Sequence, residues 1–143
     1  MSNQYCSFQL AHLTFGIEVE RVQEVMRSQT LTKVPLADPV VRGLINLRGQ
    51  IVTALDLRRR LELPEPGAEH QPMNIVVRTA AGELSLLVDA IGDVVDVDDE
   101  DFERPPETLE GVARELITGA YKLPDRLLLV LDTDRAVELP AAA

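Results

Sequence analysis

Two short apolar runs, residues 44–47 and 51–55, flank the polar, glycine-bearing break Arg48-Gly49-Gln50. That spacing predicts a β-hairpin whose turn uses the freedom of Gly49 to take positive φ. Neither run alternates cleanly, so both faces of the hairpin are expected to be covered. Asp56 stands where a helix N-cap belongs, and Leu57 and Leu61 lie one turn apart. A short helix is therefore expected next, with Arg58, Arg59 and Arg60 pointing mostly outward. Upstream, residues 5–10 and 13–17 alternate enough to be two strands broken at Ala11-His12. Over residues 18–26 the period changes. Val19, Val22, Val25 and Met26 recur at three to four positions, which predicts a short amphipathic helix showing Glu18, Glu20, Arg21, Gln23 and Glu24 on its other side.

Residues 30–34 read as a strand or extended connector, and Asp38-Pro39 can open a single helical turn through Arg42. Residues 64–72 are linker-like, because their prolines and glycine oppose regular structure and almost nothing in them is apolar. A second hairpin is expected over residues 74–79 and 83–88, followed by a strand or helix–strand junction at 91–97. The acidic segment 96–107 reads as an exposed loop, then come a short turn at 109–113, a strand at 116–121 and another hairpin.

The pattern repeats. Residues 43–63 align without a gap on residues 119–139, with identities at Gly43/Gly119, Leu47/Leu123, Leu55/Leu131, Asp56/Asp132, Arg59/Arg135, Glu62/Glu138 and Leu63/Leu139. Composition alone gives about one or two matches in such a window. An earlier stretch, residues 15–25, aligns with residues 84–94 and shares the order Val, acid, any, aliphatic, any, acid, Val. Two related halves follow, giving a single domain of two similar lobes, approximately residues 1–65 and 72–139, with strands able to exchange between them. Each lobe would be marginal alone, so the two are expected to pack on one another.

Of the 143 residues 45% are hydrophobic, Trp is absent and aromatics make up 3%, so the core is expected to be aliphatic. The formal charge of -10 repels a phosphate backbone and argues against nucleic acid as a partner. Simple solubility and a preference for basic partner surfaces both fit that charge. One cysteine, Cys6, allows no internal disulfide and suits a reducing compartment. No signal peptide or long apolar span is present, which gives a cytoplasmic expectation without membrane insertion.

Catalytic patterns are missing. His12, His70 and Cys6 lack neighbours at metal-ligand spacing, and there is no phosphate loop, nucleophile elbow or His-Glu-x-x-His. Asp96, Asp98, Glu100 and Glu107 fit a calcium-loop register, but Asp101 occupies the position that needs glycine. Arg48, at a hairpin tip, either reaches solvent for a partner or folds back onto carbonyls and a carboxylate of the second lobe. Asp56 and Asp132 are better read as helix caps than as catalytic carboxylates.

The ordered set VERVQEV, TKVPLADPVVRGLINLRGQIVTALDLRRRL, LSLLVDAIGDVVDV and LLLVLDTDRAVEL resembles the CheW-like coupling proteins of bacterial chemotaxis over nearly the whole chain. Thr53 departs from the proline common there, and the alanine-rich end departs too. The resemblance implies a mainly β fold of two five-stranded SH3-like barrels with a few short helices, no catalytic activity and no cofactor or metal. It implies two partners, the regulatory domain of a CheA-type histidine kinase and the cytoplasmic tip of a methyl-accepting chemoreceptor, in membrane-associated arrays. A CheW-like scaffold of another two-component pathway is the alternative, with a small enzyme or metal-binding protein more remote. Carried over by position, the protein-binding residues are Val22, Glu24, Gly43, Arg48 and Val94. Val22 and Val94 fit a core role as well, and Gly43 fits a role in backbone geometry alone.

Overall fold

The computed structural model describes residues 2–27, 29–64, 72–107, 109 and 111–138. Most of the linker-like segment and the alanine tail lie outside them. The chain is mainly β, as its patterning implies. Hairpin β1 (Ser2–Leu10) and β2 (Leu13–Glu18) turns at Ala11, whose φ is 55°. β3 is Val22–Met26, and hairpin β4 (Val41–Leu47) and β5 (Gln50–Asp56) leads into the one-turn helix α1 (Leu57–Arg60). The second half follows the same plan. Hairpin β6 (Met73–Thr79) and β7 (Gly82–Val88) precedes β8 (Ala90–Asp98) and the two-residue β9 (Phe102–Glu103). Helix α2 (Gly111–Leu116), hairpin β10 (Ile117–Lys122) and β11 (Leu127–Leu131), and helix α3 (Thr133–Ala136) complete it.

Two sheets form, with orders β8-β1-β2-β11-β10-β9 and β3-β6-β7-β5-β4. The six-stranded sheet combines the β1–β2 hairpin of the first half with β8, β9, β10 and β11 of the second, and the five-stranded sheet combines the β6–β7 hairpin of the second half with β3, β4 and β5 of the first. Their registers correspond. Val25 faces Ile75 as Val94 faces Cys6, and parallel β5–β7 sets Thr53 against Leu84 as β11–β2 sets Leu129 against Phe15. Bulges recur between Val22 and Glu24 and on β1 between Cys6 and Phe8, where the equivalent strands meet. Even β9 has a counterpart, since Glu103 pairs with Ala120 as the isolated bridge residue Thr32 pairs with Leu44.

Ile45, Leu47, Val52, Ala54, Val76 and Leu87 form one cluster within the five-stranded lobe, and Tyr5, Val97, Tyr121, Leu128 and Val130 form one within the other. The largest cluster joins the lobes, combining Phe8, Phe15 and Ile17 with Leu55, Leu57, Leu61, Val77 and Leu86. Each such side chain contributes roughly 1.5–3 kcal/mol on burial. The two lobes are therefore one folding unit.

The helix expected over residues 18–26 is not there. β2 runs through Glu18, a 3-10 turn occupies Val19–Arg21, and β3 pairs antiparallel with β6. The valines satisfy a helical period and a strand equally over so short a stretch, and β-branched side chains pack well on a pleated surface. Sheet pairing decides the outcome. The acidic segment differs too, because β8 carries Asp96 and Asp98, a 3-10 turn spans Asp99–Asp101 and β9 follows, so only part of it is loop. The helical turn expected after Asp38 is a hydrogen-bonded turn, with the Asp38 carboxylate accepting from the Val40 N–H at 2.9 Å.

Candidate protein-binding site

The β4–β5 hairpin turns through two residues, Arg48 at φ 54° and Gly49 at φ 86°. Positive φ at both central positions matches the twist of the flanking strands, and Asn46 steadies the turn by accepting the Gly49 N–H at 2.8 Å. This conformation lifts the Arg48 side chain out to 79% exposure. Its Nη2 donates to Glu24 Oε1 at 2.9 Å. β3 and β4 are the two ends of their sheet, so this ion pair spans the seam between those ends. Arg48 thus folds onto a carboxylate of its own lobe instead of one in the second lobe, and most of its donors remain in solvent.

β3 sorts its side chains by alternation. Val22, Glu24 and Met26 are half-buried, with Val22 packed against the core between the lobes and Met26 against the core of its own lobe. Gln23 and Val25 face outward. Val25 is therefore an exposed apolar side chain on the face opposite Glu24, and Ile51, just past the Arg48 turn, is 61% exposed. A helical reading of β3 hides Val25. Strand alternation is the signal that finds it.

Gly43 is buried, and a Cβ there would come within 2.6 Å of the Thr32 carbonyl oxygen. Its role in this geometry is to let the segment around Thr32 reach β4, where Thr32 and Leu44 exchange hydrogen bonds of 2.9 and 2.8 Å. Val94 lies on β8 of the other sheet, opposite Cys6, and is 55% exposed. The structure thus brings Glu24 and Arg48 together, places Val22 and Gly43 inward on the same sheet, and puts Val94 on the other lobe.

Of the arginine run, Arg59 is exposed as expected, but Arg58 and Arg60 turn inward. Arg58 pairs with Asp89 through Nε at 3.2 Å and Nη2 at 2.5 Å, with side-chain exposures of 13% and 18%. That hydrogen bond holds the Arg58 guanidinium above its ordinary range. Arg60 donates to the carbonyls of Arg135, Ala136 and Glu138 near the end of α3. Asp56 and Asp132 are caps, accepting the N–H groups of Arg59 and Arg135 at 3.1 and 3.2 Å. Burial raises the Cys6 thiol above its usual value, which disfavours the thiolate. Among the described residues, no helix is long and apolar enough to cross a membrane.

Comparison with known proteins gives a consistent result. The model of the CheW-like domain matches residues 4–140. A chemotaxis protein CheW from Treponema pallidum is 30% identical over 133 residues, covering 90% of this chain and 78% of the relative. The Bacillus subtilis protein of the same name is 31% identical over 124 residues, covering 87% and 80%. The crystal structure of the scaffolding protein TtCheW from Thermoanaerobacter tengcongensis superposes with a TM-score of 0.87 at 26% identity, covering 99% of this chain and 97% of that one. A fold of two interlocked β lobes, matched along its length by these proteins, places the chain in the CheW-like family of non-catalytic chemotaxis scaffolds and adaptors.

Proposed function

We propose that this protein couples membrane chemoreceptors to a CheA-type histidine kinase, and that it does so without chemistry of its own. The observation that carries this reading is the surface built by β3 and the β4–β5 turn. There a solvent-facing Arg48 sits on a rigid two-residue turn, held by Glu24 and accompanied by the exposed Val25 and Ile51. Exposed charged and apolar side chains on β3 and around the β4–β5 turn suit docking of a helix, with Arg48 fixing register and the valine and isoleucine supplying burial. A receptor's helical tip is the partner assigned to this surface. Val94, exposed on the other lobe at the position equivalent to Val25, would extend the contact. Val22 and Gly43 act from within, holding β3 and β4 in place.

The test is a calorimetric titration of the protein with the regulatory domain of the CheA kinase from the same organism, followed by addition of receptor cytoplasmic fragment. Saturable one-to-one binding to the kinase domain, with receptor binding reduced at least tenfold by Arg48→Glu, is the expected result. A folded sample that binds neither would overturn the proposal.

A further inference from the structure

Three of the five aromatic residues in the chain meet at one end of the six-stranded lobe. Tyr5 on β1 and Tyr121 on β10 lie with ring centroids 5.6 Å apart, and Phe102 on β9 meets Tyr121 edge-on at 5.1 Å. Both tyrosines are buried, whereas Phe102 is 44% exposed. The Phe102 ring lies over Gly119, where any Cβ would collide with it, so the glycine fixes where the ring sits. Together with Glu18, Asp99, Thr118 and Val130 these rings line an open recess of about 390 Å³. A second recess adjoins it, sharing Tyr5 and Glu18 and adding Glu20.

The carboxylates here are unbalanced. Among the described residues no lysine or arginine forms an ion pair with Glu18, Glu20 or Asp99. Arg21 acts on Glu18 only at longer range, because both its terminal nitrogens are held by Asp134 at 3.0 and 3.1 Å. Asp99 accepts a hydrogen bond from Asn3. Desolvation raises the Tyr5 phenol above its usual range, its hydrogen bond with Tyr121 adds to this, and the charges of Glu18 and Asp99 act in the same direction.

We infer that this recess receives an arginine side chain from a partner protein, its guanidinium laid against Phe102 and held by Glu18 and Asp99. A planar guanidinium has donors for two carboxylates at once and stacks on aromatic faces, which a compact ammonium does less well. The chain's net charge of -10 draws basic surfaces toward it, and a phosphate-bearing partner would be repelled by the same groups. The site lies apart from Arg48 and Glu24, on the other sheet, and does not depend on which protein carries the arginine.

The chain reports on this recess by itself, since it has no Trp and both of its tyrosines line the cavity. Tyrosine emission should be followed during titration with the peptide acetyl-Gly-Ser-Arg-Ser-Gly-amide, and with the citrulline version of the same peptide, at constant ionic strength. A saturable change with a midpoint of about 1–10 mM is expected for the arginine peptide, with none for citrulline. Glu18→Gln with Asp99→Asn should weaken binding at least tenfold without lowering Tm, and Phe102→Leu should weaken it several-fold. A flat titration, an equal response to citrulline, or an unchanged midpoint in the carboxylate variant would each overturn the inference.

Discussion

Arg48 and Glu24 meet at 2.9 Å, yet the arginine is mostly in water. An ion pair so exposed contributes about 0–1 kcal/mol, because each partner gives up strong hydration and conformational freedom to form it. Arg48→Glu alone should therefore lower Tm by no more than about 3 °C, and Glu24→Arg by a similar amount. The double exchange restores the attraction and should restore Tm. If a partner reads the orientation of the two charges, binding measured by calorimetry will stay lost in the double variant; wild-type binding in all three proteins would remove both residues from the site. Gly43 separates from this pair. Gly43→Ala sets a methyl group against the Thr32 carbonyl and should cost about 1–3 kcal/mol in urea unfolding, so any binding it loses is expected to track lost structure.

The elements that local chemistry specifies were legible in the sequence. The β4–β5 hairpin announces itself through two apolar runs about a Gly-bearing break, and α1 and α3 begin at aspartates whose side chains accept the N–H three residues on. Asp56→Ala and Asp132→Ala should each destabilise by about 1 kcal/mol, the former somewhat more because Asp56 also accepts from Arg42 at 3.1 Å. Equal stability of wild type and both variants in urea would show that these one-turn helices need no cap. What local pattern could not specify is pairing. β3 becomes a strand because β6 lies alongside, and β9 exists only through Ala120 and Tyr121 on β10. The same gap hid part of the candidate site. Glu24 and Arg48 are 24 residues apart, and nothing local says that the two ends of their sheet will bring them together. Val25 and Ile51 face outward only once the strands and their register exist.

At the scale of the molecule, the chain crosses between lobes after β2 and after β7, and each crossing is tied down by an arginine–aspartate pair. Asp89, just beyond β7, binds Arg58 of α1 and accepts the N–H of Ala11 at the tip of the β1–β2 hairpin at 2.7 Å. Arg21, just beyond β2, binds Asp134 of α3, which accepts the N–H of Ala80 at the tip of the β6–β7 hairpin at 2.9 Å. The charges have exchanged places between halves: the helix supplies the arginine in one clamp and the aspartate in the other. Asp89→Ala strands a largely buried guanidinium and a backbone donor together, and should cost roughly 2–4 kcal/mol in urea unfolding. The second clamp is more exposed and is better read through pH. The Ala80 N–H, then Arg21, holds the Asp134 carboxyl below its ordinary value. A folded-state value below the unfolded one, which is about 3.9, means this contribution is present above about pH 4 and is lost as pH falls through the folded value. Asp134→Asn should therefore be less stable than wild type at pH 6–7, with the gap closing below about pH 4. Unfolding curves that stay parallel from pH 7 to pH 3 would show that Asp134 binds its partners equally well with or without its charge, and would leave the Asp89 clamp as the charged tie between the lobes.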